Sequence, residues 1–205
     1  MGAGLDTVSV LSDRDASCMK NAGYTFVMRY YKEQGYPRLR RSEAVAISHA
    51  GLRIGVVFET DPTFAAYFTA AKGRADCRSA VFQAMDVGQP EDSAIYFAVD
   101  YDASVSQALG PIKAYFNAVN NEMAYMVANF QAPSYSVGVY GDGVVCSIMK
   151  SMGLARFTWL AGAMSWPGSG TYSGWNLRQG SAEISVCGVI ADYDQSSGVF
   201  GAFTV

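Results

Sequence analysis

Short apolar runs recur along the chain, and each of them ends in polar or charged residues. Eight such runs occupy residues 4–7, 25–30, 53–59, 93–100, 135–140, 157–160, 175–179 and 189–194. They are nearly continuous in hydrophobicity and do not alternate, which is typical of parallel strands buried on both faces. Helical stretches lie between several of them, at residues 42–50, 73–87, 105–130 and 144–152, and a glycine directly follows three of these stretches. Glycine is favoured just past a helix because it adopts the left-handed conformation freely.

The repeated order of strand, helix, glycine and strand predicts a parallel α/β fold. Eight strands favour a (β/α)8 TIM barrel over an open sheet. The chain of 205 residues leaves only about 26 residues for each unit, which is near the lower limit for this fold. The connections before the last two strands are too short for full helices. We therefore predict one domain over residues 1–205, a compact, irregular TIM barrel with some late helices shortened or missing.

The composition excludes several classes of function. Half of the residues are hydrophobic and only 16% are charged, so the chain can bury enough apolar surface to fold. The net charge is −3, and the 15 Lys and Arg residues are spread along the chain without forming a basic stripe, so nucleic acid is not an expected partner. No apolar run approaches the roughly 20 residues that cross a bilayer, so no membrane partner is expected. The single histidine, His49, excludes H-E-x-x-H zinc sites and three-His metal centres. We expect carboxyl groups to carry any chemistry, without a metal or a cofactor.

The four cysteines lie far apart and lack the C-x-x-C spacing of a zinc or redox site. They are Cys18, Cys77, Cys146 and Cys187. We expect buried free thiols, or one or two disulfides if the protein works outside the cytosol. The first residues show neither the basic nor the apolar segment of a signal peptide, so none is expected.

Acidic residues cluster where a TIM barrel keeps its active site, at the carboxyl ends of the strands. They are Asp6 on the first strand, Glu59 on the third, Asp100 and Asp102 on the fourth, and Asp192 and Asp194 on the eighth. Several like charges in one mouth raise at least one pKa, which keeps a carboxyl protonated as a general acid near neutral pH. A single Asp after a strand can instead cap a helix, as we expect of Asp142. The joint placement of the others favours a catalytic site.

Aromatic side chains accompany these carboxylates at the strand ends. We assign substrate binding to Tyr30, Tyr101, Tyr140, Trp159, Trp166 and Tyr193, together with Gln179 and Asp194. Flat aromatic faces with polar tips suit a sugar ring, although ordinary packing is the alternative explanation for each of them. Arg29 ends the second strand, where it could pair with a carboxylate or bind an anionic group of the substrate. We include Arg29 among the candidate substrate-binding residues.

Five segments in order carry a family resemblance. They are GLD at residues 4–6, FVMRYY at 26–31, IYFAVDYD at 95–102, VGVYG at 137–141 and IADYDQ at 190–195. Together they resemble the glycoside-hydrolase-like domain of unknown function family 1906, which is similar to the bacterial and phage muramidases of glycoside hydrolase family 25. The resemblance covers nearly the whole chain. It implies a barrel fold and a peptidoglycan substrate.

The muramidase pattern has an Asp on strand one, an Asp-x-Glu on strand four and an Asp on strand eight. Asp6, Asp100 and Asp192 match it, whereas Asp102 stands in place of the Glu that acts as the acid. The shorter side chain withdraws the carboxyl by about an ångström, and catalytic groups tolerate roughly half of that. Either the substrate sits deeper, or Glu59 supplies the proton, or the site no longer cleaves, in that order of preference.

The resemblance therefore implies hydrolysis of a β-1,4 glycosidic bond in peptidoglycan by two carboxyl groups. Asp102 would be the general acid, with Glu59 as the alternate, and Asp100 would stabilise positive charge or orient the N-acetyl group. Asp6 and Asp192 would position the substrate. The stereochemical outcome depends on a carboxyl separation that a sequence does not provide.

Two other functions remain open at this point. One is a non-catalytic barrel that binds cell-wall glycan, and the other is a glycosidase for another polysaccharide. The expected site of action is the cell envelope or the extracellular space, reached by a non-classical route. An injected antibacterial effector with an immunity protein as its partner is one such scenario.

Overall fold

The computed structural model describes residues 1–205, and its eight strands form a closed barrel in chain order. The strands are β1 (Gly2–Asp6), β2 (Phe26–Tyr31), β3 (Arg53–Phe58), β4 (Ala94–Ala98), β5 (Ser136–Gly141), β6 (Phe157–Leu160), β7 (Leu177–Val186) and β8 (Val189–Ser196). The first seven run parallel, as predicted, but β8 is antiparallel to both β7 and β1. The parallel prediction is wrong for this last strand. Only two residues connect β7 to β8, and a connection that short can form a hairpin but not a parallel crossover.

Helical segments surround the barrel. They are α1 (Asp13–Asn21), α2 (Arg41–His49), α3 (Ala70–Val87), α4 (Val105–Gln107), α5 (Lys113–Phe130) and α6 (Gly143–Ser151). A π-helical turn, Ala108–Ile112, joins α4 to α5 around Pro111, which has no N–H to donate. Gly51, Gly88 and Gly153 have φ values of +81°, +82° and +68°, as predicted for residues that end helices. No helix lies between β6 and β7, which confirms the missing late helix. None of the helices combines the length and apolarity needed to cross a lipid bilayer.

Helix α1 lies in a segment that the sequence analysis left without a helix. Ser12 caps this helix, since its hydroxyl accepts a hydrogen bond from the Asp15 N–H at 3.3 Å. The Asp15 carboxylate accepts one from the Ser12 N–H at 3.0 Å, which completes a capping box. The Ser-x-x-Asp spacing was the available sequence signal for this helix start.

Side chains that point into the barrel form a packed core of their own. Phe26, Met28, Tyr96 and Trp159 belong to it. At the amino ends of the strands, the Tyr96 hydroxyl donates to the carbonyl of Phe200 in the C-terminal segment at 2.9 Å. Since this end of the barrel is filled, the opposite end, where the parallel strands finish, is left for a site.

One disulfide joins the first helix to the last hairpin. Cys18 of α1 is bonded to Cys187, which lies in the turn between β7 and β8. Cys77 and Cys146 are free and buried, as expected for unpaired cysteines. The expectation of buried free thiols is therefore wrong for Cys18 and Cys187, and the disulfide alternative holds for them. The pairing joins segments 169 residues apart, which no local spacing could have indicated.

Candidate active site

Four of the predicted carboxylates meet at the mouth of the barrel. Asp6 ends β1 and lies directly opposite Asp192 of β8, while Glu59 and Asp100 follow β3 and β4. Asp100 and Asp6 both act electrostatically on Glu59, and Asp100 and Asp192 line the same cleft. No three His, Cys, Asp or Glu side chains are arranged so that they could hold one metal ion. The mouth is therefore a cluster of acidic groups that contains the predicted residues of strands one, three, four and eight.

Asp6 is held by more side-chain hydrogen bonds than the other three carboxylates. Its Oδ1 accepts a hydrogen bond from the Tyr30 hydroxyl at 2.8 Å, and its Oδ2 accepts one from Gln179 Nε2 at 2.9 Å. The same Gln179 nitrogen lies 3.4 Å from Asp192 Oδ2. The Tyr140 hydroxyl donates to Gln179 Oε1 at 3.0 Å, which fixes the orientation of the amide. Tyr30, Tyr140 and Gln179 thus lie at the mouth, where the sequence analysis expected them.

Glu59 has the properties of a proton donor. Burial, followed by the charge of Asp100, raises its pKa from 4.5 to about 7, while Lys32 and a hydrogen bond from Tyr36 act in the opposite direction. Burial also raises the pKa of Asp100. Glu59 combines burial with a neighbouring negative charge, and such a difference in environment separates the acid from the base in a pair of carboxyl groups. Burial and the charge of Asp100 thus set Glu59 apart from an ordinary exposed carboxyl group.

Asp102 does not point into the mouth. Strand β4 ends at Ala98, so the chain has left the strand before it reaches Asp102. The Asp102 side chain is exposed, and its charge acts on Tyr101 and Asp142 instead of on Glu59. The Asp-x-Asp spacing would place both carboxylates on one side only if the strand continued through them, and β4 ends before both residues.

Arg29 lies on the other side of the barrel wall. Its side chain is 0% exposed and faces the helices, in line with Val27 and Tyr31 on the same strand. Arg29 Nε donates to Glu43 Oε1 of α2 at 2.7 Å, and Nη1 donates to the Thr7 carbonyl oxygen. The structure contradicts the expected substrate contact and supports the alternative, a pair with a carboxylate.

Four other predicted substrate-binding residues are not among those that line the cleft at the mouth. Trp159 and Asp194 are 1% and 0% exposed inside the barrel, where Trp159 Nε1 donates to Asp194 Oδ1 at 2.8 Å. Tyr101 packs against Phe68, with ring centroids 5.9 Å apart. Tyr193 is on the outer face of β8, since Asp192 and Asp194 on either side of it point inward. Burial prevents direct sugar contact at Trp159 and Asp194, which corrects that expectation.

A cleft of about 340 Å³ opens at the mouth. Trp166, the predicted aromatic of the loop before β7, lines it together with Asp100 and Asp192. Glu183 also lines this cleft and pairs across the hairpin with Asp192, whose pKa is raised by burial and then by Glu183. The sequence analysis missed Glu183 because it ended strand seven at residue 179. It also missed Tyr36, whose turn segment carries no signal for contact with Glu59.

Sequence comparison relates the chain to a family of domains. A family model described as "Rv2525c-like, glycoside hydrolase-like domain" matches residues 17–194. The uncharacterized protein YbfG of Bacillus subtilis (strain 168) is 29% identical over 163 residues, which cover 76% of this chain and 22% of that protein. The uncharacterized protein FadG of the same organism is 28% identical over 165 residues, covering 78% and 28%. The chain thus spans about a quarter of the length of these relatives.

Solved structures share the barrel. The Tat-secreted protein Rv2525c of Mycobacterium tuberculosis, in complex with L-tartrate, is similar with a TM-score of 0.79 and 24% identity over 98% of both chains. A lysozyme from Streptomyces coelicolor has a TM-score of 0.57 and 18% identity, covering 96% of this chain and 92% of its own. A family 25 glycosyl hydrolase from Bacillus anthracis has a TM-score of 0.57 and 9% identity, covering 98% and 94%. The predicted fold and family resemblance are confirmed. The chain belongs to the family of Rv2525c-like, glycoside hydrolase-like domains.

Proposed function

We propose that this domain is a glycoside hydrolase that cleaves a β-1,4 bond in peptidoglycan, with Glu59 as the proton donor. The observation that carries the proposal is the half-buried Glu59 carboxyl at the barrel mouth, whose pKa is raised to about 7. Asp100 beside it supplies the second carboxyl group that glycoside hydrolysis requires. Membership of a glycoside hydrolase-like family supports chemistry on a glycan.

In this mechanism Glu59 protonates the glycosidic oxygen as the bond to the leaving sugar breaks. Positive charge then develops on the remaining sugar ring, and Asp100 in its carboxylate form stabilises that charge. A water molecule adds to the charged carbon and gives its proton to one of the two carboxylates, which completes the hydrolysis and replaces the proton that Glu59 gave to the leaving sugar. Gln179 is held between Asp6 and Asp192, so these two carboxyl groups keep a fixed position at the edge of the cleft. General acid catalysis of this kind contributes about 10²- to 10⁴-fold to a rate.

The clefts around the mouth support a polymeric substrate. Trp166 forms one wall of the 340 Å³ cleft and offers an aromatic surface for a sugar ring. A second cleft, of about 620 Å³, is lined by Lys32, Tyr36, Phe82 and other residues. Tyr36 lines this second cleft and packs against Tyr30 at the mouth, with ring centroids 5.3 Å apart, so we assign to this cleft the part of a glycan that extends beyond the mouth. The lysozymes among the structural neighbours support peptidoglycan as that glycan.

The proposed site of action is the cell envelope or the extracellular space. The disulfide between Cys18 and Cys187 supports it, since such bonds persist in oxidising compartments and are rare in the cytosol. The description of the similar protein Rv2525c as Tat-secreted agrees with this location.

The proton donor can be tested with a pair of variants, Glu59→Gln and Asp102→Asn. Release of reducing ends from purified peptidoglycan should fall by about 10²- to 10⁴-fold in E59Q, because the amide cannot donate the proton. D102N should keep wild-type activity within a few-fold, because the exposed Asp102 does not face the cleft. Circular dichroism spectra would confirm that both variants are folded. Full activity of E59Q, or a comparable loss in D102N, would contradict the assignment.

A non-catalytic glycan-binding barrel is the second candidate. The observation in its favour is Asp102, which replaces the glutamate of the muramidase pattern and lies outside the mouth. Binding of peptidoglycan by the wild-type domain without any release of reducing ends would establish this function instead. Mass spectrometry of the products would separate peptidoglycan cleavage from action on another polysaccharide.

A further inference from the structure

A second buried carboxyl group lies directly beneath Asp6. In the pairing of β1 with β8, Asp192 is opposite Asp6, and Asp194 is opposite Gly4. Residues two apart on a strand point to the same face, so Asp6 and Asp194 both point into the barrel, one layer apart. Gly4 has no side chain that could separate them. A hydrogen bond between the two carboxyl groups would lower the pKa of Asp6 and raise that of Asp194.

The hydrogen bonds of this pair are incomplete if both groups are ionised. Asp194 Oδ1 accepts from Trp159 Nε1 at 2.8 Å, but Asp194 Oδ2 is buried and has no donor. Asp6 accepts from both Tyr30 and Gln179. A buried carboxylate oxygen without a partner is costly, and a second negative charge beside it adds to that cost.

We propose that Asp6 and Asp194 hold one proton between them, which Asp194 Oδ2 carries and donates to Asp6. This proton gives Asp194 Oδ2 its partner, supplies a third hydrogen bond to Asp6 and removes one negative charge from the barrel interior. Asp194 is the carrier because it is fully buried and accepts a single bond, whereas Asp6 accepts two and sits nearer the solvent. Asp194 is then a positioning residue that fixes Asp6 at the mouth, and it does not contact the sugar.

The surroundings of the pair agree with a shared proton. The titratable groups around it come from several elements: Tyr30, Tyr36, Glu59, Tyr96, Tyr140 and Asp192. No cation is among the groups that act most strongly on either carboxyl. Burial raises the pKa of Asp6 to about 6, and burial followed by the charge of Asp6 raises that of Asp194 well above its usual range. In the absence of a cation, a proton is the available countercharge.

Infrared spectroscopy tests the proton directly. At pH 8, above the pKa of Glu59, the wild-type protein should show the C=O stretch of one protonated carboxylic acid. Asp194→Asn should remove this band, because the amide has no acidic proton. Asp192→Asn is the matched control on the same strand and should keep the band. A wild-type spectrum without the band, or an unchanged band in D194N, would overturn the proposal.

Unfolding by urea gives a second readout that does not depend on catalysis. Between about pH 5 and 8 the folded wild-type protein holds a proton on Asp194 that the unfolded chain has released. This proton makes the unfolding constant rise about tenfold for each pH unit. In D194N the unfolding constant should rise less steeply with pH, because the variant lacks this proton. An equally steep rise in D194N and in the wild-type protein would count against the shared proton.

Catalysis then tests the positioning role, which rests on the proposed function. D194N can accept from Trp159 and donate to Asp6, so its kcat should stay within a few-fold of wild type. Asp194→Leu keeps neither bond and should lower kcat by roughly tenfold or more at similar KM, since small displacements of catalytic groups are costly. Equal losses in both variants would refute the positioning role. If the wild-type domain releases no reducing ends, the proposed function fails, but the infrared and unfolding results still decide whether the proton is shared.

Discussion

Loss of the Cys18–Cys187 disulfide should lower the melting temperature by about 12 °C. The bond closes a loop between residues 169 positions apart. In the chain-entropy model, opening such a loop returns about 17 cal/mol/K to the unfolded chain, which corresponds to about 5 kcal/mol at 25 °C. An unfolding entropy of about 2.1 cal/mol/K per residue gives about 430 cal/mol/K for the whole chain. Dividing the loss of about 5 kcal/mol by this unfolding entropy gives the expected shift in Tm, about 12 °C.

The assay compares the wild-type protein with the double variant Cys18→Ser/Cys187→Ser in thermal unfolding followed by circular dichroism. A reductant should lower the wild-type Tm to that of the double variant, because Cys18 is exposed and the bond can be reached. The same reductant should leave the double variant unchanged, since Cys77 and Cys146 are unpaired thiols. A shift below about 3 °C in the double variant would refute the loop-closure reasoning.

Four further outcomes follow from the candidate site and from the contacts that support it. Activity on peptidoglycan should fall as the pH rises through about 7, because Glu59 loses its proton there; a flat kcat profile from pH 5 to 9 would contradict this. The pKa of Glu59 is higher in the folded protein than in the unfolded chain. The protonated group therefore contributes to the stability of the fold below about pH 4.5, and this contribution is lost as the pH rises through about 7. E59Q should therefore be more stable than wild type at pH 8 by about 3 kcal/mol in urea unfolding. Trp166→Ala should raise KM for peptidoglycan roughly tenfold at similar kcat, since it removes one wall of the cleft. Glu43→Gln should destabilise the fold by about 3–5 kcal/mol, because it leaves Arg29 buried without its carboxylate, while the folded fraction keeps its specific activity.

The residues at the strand ends were good predictors of which side chains lie at the mouth, because a barrel brings the carboxyl ends of its parallel strands together at one rim. Asp6, Glu59 and Asp100 each interrupt an apolar run there, so their position is visible in the sequence. The direction of Arg29 is not visible. Strand β2 is buried on both faces, one against the barrel interior and one against the helices, so its apolar residues do not alternate with polar ones. Without alternation, nothing in the sequence shows which residues of β2 point inward.

The remaining differences come from contacts between distant segments. Asp102 turns away from the mouth where the chain leaves β4, and the Asp100 N–H there donates to the carbonyl of Pro62 at 2.9 Å. The contact of Tyr36 with Glu59 and the placement of Glu183 beside Asp192 likewise depend on how separate segments meet. Local sequence patterns do not indicate such tertiary contacts. They predict the helices and strands, but tertiary structure determines which residues form the site.

The antiparallel hairpin of β7 and β8 has a consequence for redesign of the cleft. Asp192 and Glu183 face each other across this hairpin, and the disulfide ties the turn that joins its strands to α1. A protein engineer could change the height of this wall by adding residues near the turn, in matched pairs on the two strands. An even number on each strand keeps Asp192 pointing inward, whereas an odd number would reverse every side chain beyond the insertion. The disulfide at Cys187 fixes the present height, so any longer hairpin would also need a new partner position on α1.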